Sequence, residues 1–394
     1  MVLTERLEFV PERDAELFSA TPASSAVFIL RGPDNQSEPY IGKTANLRRR
    51  LERLVGAPDE RSKKLNLRDR VRWIEYTLSD SDFESGFLLY KLLRENFPKT
   101  YAARLRLRGA PLLKLHLENP YPRASITTRL GKLNGRALYY GPFQSRPAAE
   151  KFMNDSLDFF KMRRCVDDLH PDPQFPGCIY SEMKMCLAPC FKGCTDEEYS
   201  SEVARVQSYF DSSGETLARD FMAQRDRASA KLAFEDAAAI HVRLEKLKPV
   251  ASAIPEIVRR IDQLSALMVQ PAHEPDCVKF FCIDRGIISG PMVFAIQPPE
   301  QGKSQSMESR VQMALDSAPH RAASPLETME HLALLRRWYY RGTRRGEIFV
   351  ADDKNILPMR RIVRGISRVL KGEGPENLHQ GDAEEQTESR EQAE

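Results

Sequence analysis

The sequence predicts an α+β protein with several structural units along one chain of 394 residues. Three observations predict this fold class. Short apolar strands alternate with helical segments near the N terminus, and five of the seven cysteines lie within residues 165–194. Apolar residues also recur at helical spacing through residues 215–247. The expected boundaries are 23–105 for a small α/β sandwich, 106–160 for a strand-rich connection, 161–200 for the cysteine cluster, 213–250 for a helical hairpin, 251–370 for a C-terminal α/β region and 371–394 for a disordered acidic tail.

The composition is ordinary for a soluble globular protein, with 41% hydrophobic and 29% charged residues. No run approaches the roughly 20 apolar residues that span a bilayer. The first ten residues, MVLTERLEFV, lack the apolar core of a signal peptide. We therefore expect a cytoplasmic protein with no membrane partner.

The distribution of charge is more informative than the net charge of +3. A local basic face on a nearly neutral chain is expected for binding to a phosphate backbone. A merely solvated face is the alternative interpretation. The basic residues are concentrated in one segment: Lys43, Arg48, Arg49, Arg50, Arg53, Arg61, Lys63, Lys64, Arg68, Arg70 and Arg72.

The N-terminal unit begins with an apolar strand over residues 26–30 and a polar turn, and a second strand ends at residues 40–42. A helix is then predicted to open at Lys43 and Thr44, with Thr44 as its N-cap. Gly42 lets a ligand approach the backbone closely, and a helix N-terminus beside a lysine suits a phosphate.

Further strands and helices complete this unit and the connection that follows it. Alternating, β-rich residues 71–78 predict a strand, and residues 83–96 predict a helix that Pro98 ends. Residues 104–140 are strand-rich, and a helix is expected over residues 145–160.

The cysteine cluster predicts a metal or cluster cofactor rather than disulfides in a cytosolic protein. Four thiolates suit either an iron–sulfur cluster or tetrahedral zinc. The cluster lacks the Cys-x-x-Cys pairs typical of zinc ribbons, which favours iron–sulfur. Buried free thiols are the alternative.

The segment YIGKTANLRRRL, starting at Tyr40, is close to the second half-motif of the GIY-YIG nuclease domain. With the cysteine cluster and the helical hairpin in the same order, the chain resembles UvrC, the incising subunit of bacterial nucleotide excision repair. The spacing of Cys165, Cys178, Cys186 and Cys190 matches the UvrC cysteine motif. Residues 213–250 resemble the UVR motif, the hairpin through which UvrC meets UvrB, although an ordinary hairpin packed on its own chain is nearly as well supported.

The resemblance implies a set of catalytic roles. Tyr40 corresponds to a tyrosine that acts as the general base or positions it, and Lys43 and Arg50 favour its anion. Arg50 can also grip a phosphate bidentately. Glu84 corresponds to the carboxylate that binds Mg²⁺ or Mn²⁺, and its alternative role is the reciprocal partner in a capping box with Ser81. Residues implied in DNA binding are Gly42, Arg48, Arg49 and Arg53.

Phe28 stands where the first half-motif of the family has a tyrosine. Loss of one preorganised hydroxyl donor lowers a rate by on the order of 10²–10³. Leu54 likewise stands where an aromatic residue is expected, and His241-Val242 replaces the usual Arg-Asp pair of the hairpin.

The C-terminal region predicts a β-rich stretch over residues 278–296, an amphipathic helix over 326–340, a strand over 346–350 and a basic helix over 357–370. Neither the RNase H-type nuclease domain nor the helix-hairpin-helix module of full-length UvrC is recognisable there. Tyr339 and Tyr340 are candidates for stacking on single-stranded DNA, with core packing as the alternative.

Two functions follow from these features. The first is a DNA repair endonuclease that makes one metal-dependent incision on the 3′ side of a lesion in double-stranded DNA, in the DNA damage (SOS) response. The alternative is a catalytically impaired protein that keeps the fold and binds DNA or UvrB. A third hypothesis is a metal- or redox-responsive DNA-binding protein centred on the cysteines.

Overall fold

The computed structural model describes residues 3–34, 37–58, 65–297, 306–317 and 324–375. Several predictions concern residues outside these ranges, namely Arg61, Lys63, Lys64 and most of the acidic tail predicted over 371–394.

The N-terminal unit contains a four-stranded antiparallel sheet in the order β1-β4-β2-β3. The predicted strands are all present, and β1 is an additional edge strand. The strands are β1 (Glu5–Glu8), β2 (Ala26–Arg31), β3 (Tyr40–Thr44) and β4 (Trp73–Leu78).

Helices cover both faces of this sheet. Alternation along β2 directs Phe28 towards one face, with the apolar side of α2, and Ile29 towards the other, with α3. This arrangement confirms the expected α/β sandwich and separates two surfaces, called the α2 face and the α3 face below. The helices are α1 (Asp14–Ala20), α2 (Leu47–Val55), α3 (Asp82–Asn96) and α4 (Tyr101–Arg104).

The predicted start of the Arg-rich helix is wrong. Lys43 and Thr44 belong to β3, and α2 begins at Leu47 with Asn46 as its N-cap. The Asn46 side chain accepts a 3.0 Å hydrogen bond from the Arg49 amide. The Thr44 hydroxyl instead accepts from the Asn46 amide at 3.2 Å, so it forms the turn that precedes the helix.

The middle of the chain contains a second antiparallel sheet, in the order β6-β5-β7-β8, and helices α5–α9. Strand β8 lies after the helical hairpin, so the chain returns to pair with β7. The strand-rich connection, the helix after the cysteines and the hairpin share one hydrophobic cluster. The elements are β5 (Leu112–Leu115), β6 (Ala124–Thr127), β7 (Leu138–Gly141), α5 (Arg146–Leu157), α6 (Ile179–Glu182), α7 (Asp196–Asp211), α8 (Glu215–Ala230), α9 (Phe234–Ser252) and β8 (Arg259–Arg260).

The C-terminal region forms a third antiparallel sheet, in the order β11-β10-β9-β12. One face packs on α10 and α12, and the other packs on α11 and on α3 of the N-terminal unit. The elements are β9 (Ala266–Pro271), β10 (Cys277–Asp284), β11 (Ile287–Ala295), α10 (Met307–Asp316), α11 (Pro325–Tyr339), β12 (Glu347–Val350) and α12 (Met359–Lys371).

Helix α11 is more deeply buried than its amphipathic pattern predicts. Its central residues are buried, including Glu330, which accepts hydrogen bonds from the Tyr90 and Tyr101 hydroxyls. Both tyrosines belong to the N-terminal unit, so α11 fixes that unit against the C-terminal sheet. Across the described ranges, no helix has the length and apolar character needed to cross a membrane.

Candidate functional site

The α2 face brings four of the predicted site residues together. Tyr40 on β3 and Arg50 on α2 are in contact, because Arg50 Nη2 donates a 2.7 Å hydrogen bond to the Tyr40 hydroxyl. The fully buried Phe28 ring lies beside Tyr40, with ring centroids 6.1 Å apart. Gly42 is opposite Phe28 in the ladder, and a Cβ there would lie 3.2 Å from the Phe28 ring. Glycine therefore leaves room for that ring.

A polar cleft of about 470 Å³ opens beside Tyr40. Arg70 and Arg104 line it together with Glu38, and Arg104 forms an ion pair with Glu38. The Arg50 Nε atom is buried and has no hydrogen-bond partner among the described residues. These guanidinium groups can bind phosphate oxygens. Arg104 was not identified from the sequence, because it lies 64 residues beyond Tyr40 and outside the basic segment.

The remaining arginines of α2 have different surroundings. Arg48 donates from Nε to the Thr21 carbonyl at 2.8 Å, so it ties α2 to the end of α1. Arg49 and Arg53 are exposed and free to meet a phosphate backbone. Leu54 is buried in the core of this face.

Glu84 lies on α3, on the other face of the sheet from Phe28, Tyr40 and Arg50, so the structure does not bring the predicted metal ligand to the Tyr40–Arg50 pair. Its side chain is 2% exposed. Its Oε1 atom is 2.7 Å from Lys279 Nζ, and its Oε2 atom accepts from the Asp80 amide at 2.8 Å.

Lys279 comes from β10 of the C-terminal sheet and also contacts Asp80 Oδ2 at 2.7 Å. Burial alone would lower the pKa of Lys279, but the two carboxylates outweigh burial and raise it. The ammonium is therefore charged at neutral pH and neutralises the carboxylate predicted to hold a divalent cation. The prediction treated Glu84 as a free ligand because its partner lies 195 residues away in the sequence.

The capping interaction at the start of α3 differs slightly from the prediction. The Ser81 hydroxyl accepts from the Glu84 amide at 3.0 Å, as a capping box requires. The Glu84 carboxylate, however, accepts from the Asp80 amide rather than from the Ser81 amide.

Lys43 also points to the α3 face, as its pairing with Val27 requires. Its Nζ atom is 2.5 Å from Asp82 Oδ1, and Arg341 contacts the other carboxylate oxygen. Partial burial would raise the pKa of Asp82, but these two cations lower it below its usual value. Lys43 is thus paired across the sheet from Tyr40 and does not stabilise its phenolate.

The four predicted cysteine ligands are half-buried free thiols. Burial, with a smaller contribution from the other three thiols, raises the pKa of Cys186 to about 11. The Ala188 amide donates to Cys186 Sγ at 3.3 Å, and Arg163 Nη1 donates to Cys165 Sγ at 3.4 Å. N–H groups directed at sulfur favour a thiolate, the form of cysteine that binds an iron–sulfur cluster or zinc.

The geometry of the cysteines does not distinguish an iron–sulfur cluster from zinc. Within the described ranges, no group of three His, Cys, Asp or Glu side chains is close enough to hold a metal ion. The cluster, the zinc and the Mg²⁺ therefore remain predictions.

The helical hairpin α8–α9 has a buried side and an exposed apolar side. Phe221 and Leu244 pack inward against the middle sheet. At the turn, Leu232 and Phe234 are 73% and 65% exposed, and Val242 is also exposed. Such apolar exposure is typical of a binding surface.

Tyr339 and Tyr340 pack into the structure rather than facing solvent. The Tyr340 hydroxyl donates to the Pro142 carbonyl at 3.0 Å, and burial raises the pKa of both phenols. Core packing, the alternative interpretation, therefore describes them.

The chain has relatives among characterised families. Residues 110–209 match the family described as UvrC/Cho excinuclease, middle domain. The UvrABC system protein C of Rickettsia felis is 26% identical over 258 residues, which are 65% of this chain and 39% of that protein. That of Rickettsia bellii is 27% identical over 253 residues, which are 63% of this chain and 38% of that protein. No solved structure matches.

The fold is α+β, and residues 110–209 match an excinuclease middle domain. Over about two thirds of its length the chain is similar to UvrABC system protein C. It spans about two fifths of the length of the curated relatives that it matches.

Proposed function

We propose that this UvrC-like protein acts in nucleotide excision repair by binding damaged double-stranded DNA, without cutting it in the arrangement described here. The observation that carries the proposal is the ion pair between Glu84 and Lys279. A divalent cation at Glu84 would have to displace the Lys279 ammonium, which contacts both Glu84 and Asp80. Phe28 adds a second reason, because its ring carries no hydroxyl beside Tyr40.

The surface that binds DNA in this proposal is the α2 face. Arg49 and Arg53 are exposed there, and Arg50 contacts the Tyr40 hydroxyl. Arg70 and Arg104 line the cleft beside Tyr40. Guanidinium groups at this density neutralise backbone phosphates and release counterions. This binding requires neither a metal nor a hydroxyl at position 28.

A UvrB-like protein is the partner that we propose for the helical hairpin. The exposed Leu232 and Phe234 at its turn supply an apolar contact of the kind that anchors protein interfaces. The replacement of the usual Arg-Asp pair by His241-Val242 alters the polar part of that contact.

A second candidate function is a single metal-dependent incision on the 3′ side of a lesion. The hydrogen bond from Arg50 to Tyr40 favours it, because it holds a phenol beside a phosphate-binding group. This candidate requires Lys279 to leave Glu84 and Mg²⁺ or Mn²⁺ to bind.

The test is incubation of a labelled, lesion-containing duplex with Mg²⁺ or Mn²⁺, with and without UvrA and UvrB. Wild type, Phe28→Tyr, Glu84→Gln and the exposed control Glu245→Gln are compared. We expect all four proteins to bind the duplex and none of them to cut it. Cutting by the wild type that Glu84→Gln abolishes and Glu245→Gln preserves would establish the endonuclease instead.

A further inference from the structure

A second cleft, of about 680 Å³, separates the N-terminal unit from the C-terminal sheet. It lies on the α3 face, and the residues that line it do not include Tyr40, Arg50 or the UVR-like hairpin. Residues from β3, the start of α3, the end of β9 and the segment after α11 form its walls. Among the residues that line it, Lys43 alone has a role in the functions discussed above.

Gln270 is the most unusual residue of this cleft. It is completely buried, yet neither its Oε1 nor its Nε2 has a hydrogen-bond partner among the residues that the structure describes. Burying an amide without hydrogen-bond partners is unfavourable, so such groups normally find a partner. The side chain lines the cleft, where a ligand can supply the missing donor and acceptor.

The backbone around Gln270 makes room for its side chain. Gly346 has a φ of +82°, and a Cβ there would lie 2.3 Å from Gln270 Nε2. Any other residue at 346 would therefore displace the amide. The amide thus keeps its position at the wall of the cleft because a glycine faces it.

The rest of the lining is suited to phosphate. Lys43 and Arg341 approach from opposite walls and share the Asp82 carboxylate, which keeps both cations in place. Arg344 and Arg345 add two more guanidinium groups, and the hydroxyl of Thr44 lies nearby. The carboxylates of the lining are Asp80 and Asp82. Positive charge therefore exceeds negative charge along the walls.

Trp338, which is 7% exposed, also lines the cleft. Its indole N–H donates to the Arg345 carbonyl at 3.2 Å, which fixes the ring. The Arg344 guanidinium lies 5.6 Å from the Trp338 ring centroid. Aromatic and guanidinium planes are the groups on which unstacked bases lie in single-strand binding proteins.

We propose that this cleft binds one nucleotide unit of a single DNA strand, with the phosphate at Lys43 and Arg341 and the base edge at Gln270. A glutamine amide donates to and accepts from the adjacent N7 and N6 positions of adenine, so adenine is the preferred base. A cleft of this size admits a nucleotide but not a duplex. The proposal does not depend on the α2 face.

The test is fluorescence anisotropy with labelled oligo(dA) and oligo(dT) of six nucleotides, with dAMP and inorganic phosphate as competitors. The variants are Gln270→Leu and Arg341→Ala. Their matched controls are the exposed Gln312→Leu on α10 and Arg146→Ala on α5.

We expect oligo(dA) to bind more tightly than oligo(dT), and Gln270→Leu to weaken oligo(dA) binding by about tenfold while removing that preference. Arg341→Ala should weaken both oligonucleotides and reduce the salt slope by about 0.7, the value for one phosphate on a single strand. The two control variants should bind as the wild type does.

Thermal unfolding separates a binding role for Gln270 from a structural one. If the amide is kept for a ligand, Gln270→Leu should raise the melting temperature while affinity falls, because an unpaired buried amide is replaced by an apolar group. A variant that loses affinity together with its fold would contradict the proposal. Equal binding of oligo(dA) by Gln270→Leu and Gln312→Leu would also contradict the proposal. The same holds if inorganic phosphate competes as strongly as dAMP.

If dAMP competes as well as an oligonucleotide of equal base content, the cleft binds free nucleotides. That result would contradict the proposal that it binds a single DNA strand. Duplex binding through the α2 face is measured separately with Arg49→Ala. Failure of one site therefore leaves the result for the other unchanged.

Discussion

The two faces of the N-terminal sheet differ in whether their predicted catalytic side chains are accessible or buried in an ion pair. On the α2 face, Tyr40 and Arg50 form one direct contact beside an open polar cleft. On the α3 face, Glu84 is buried and paired with a lysine from another part of the chain. The difference teaches that a motif can keep its local geometry while a distant residue removes the charge that its chemistry needs.

The largest effect that we expect comes from breaking the α3 face. Lys279→Met leaves Glu84 and Asp80 without their cation, and removal of one partner from a buried ion pair destabilises a protein by about 3–5 kcal/mol. We expect a loss of stability near the lower end of this range, because the Asp80 carboxylate can turn towards water once the ammonium is removed. Urea unfolding of this variant measures the loss.

The exposed pair of Lys248 with Glu245 provides the control for that variant. Lys248→Met should change the free energy of unfolding by less than about 0.5 kcal/mol. Equal effects of the two substitutions would show that Lys279 and Glu84 do not form a buried pair in solution.

The same ion pair predicts an alkaline limit to stability. The pKa of Lys279 is raised above its ordinary value of 10.5 in the folded state. Its contribution is therefore fully present below that pH and is lost as the pH rises further. Unfolding free energies measured from pH 8 upwards should fall faster above about pH 10.5 in the wild type than in Lys279→Met. Parallel curves would contradict the raised pKa.

A smaller effect is expected on the α2 face from Phe28→Tyr. The ring is fully buried, so the added hydroxyl lowers the free energy of unfolding by about 1–3 kcal/mol unless it finds a partner. Phe234→Tyr, at an exposed position, should be nearly neutral. A neutral Phe28→Tyr would mean that the hydroxyl reaches Tyr40 or Arg50, and would favour the incision hypothesis.

The smallest effect that we expect distinguishes two neighbouring arginines. Arg49 is exposed, and Arg49→Ala should weaken duplex binding a few-fold and reduce the salt slope by about 0.9. Arg48 is bound to the Thr21 carbonyl, so Arg48→Ala should lower stability and leave the salt slope unchanged. Titrations at several salt concentrations test both variants, and the reverse pattern would exclude the α2 face as the DNA-binding surface.

Much of the fold could be predicted from the sequence because local signals encode it. The apolar run of β2, the Ser81 cap of α3 and the periodicity of α8 and α9 each fall where the pattern places them. The start of α2 was missed by a few residues, because Thr44 and Asn46 are both acceptable caps and only the turn geometry chooses between them.

The candidate site was less predictable for a physical reason. Tyr40 and Arg50 are ten residues apart, so a strand followed by a helix brings them together. Lys279 and Gln270 reach the N-terminal unit only through the packing of α11 and the C-terminal sheet on α3. No local pattern signals such a contact.

The central claim is that the α3 face holds an ammonium where the family resemblance predicts a divalent cation. Electron paramagnetic resonance of added Mn²⁺, measured with wild type and Glu84→Gln, tests it directly. We predict that both proteins bind the same amount of Mn²⁺, because Glu84 is already neutralised by Lys279. A bound ion in the wild type that Glu84→Gln removes would contradict this account and restore Glu84 as a metal ligand.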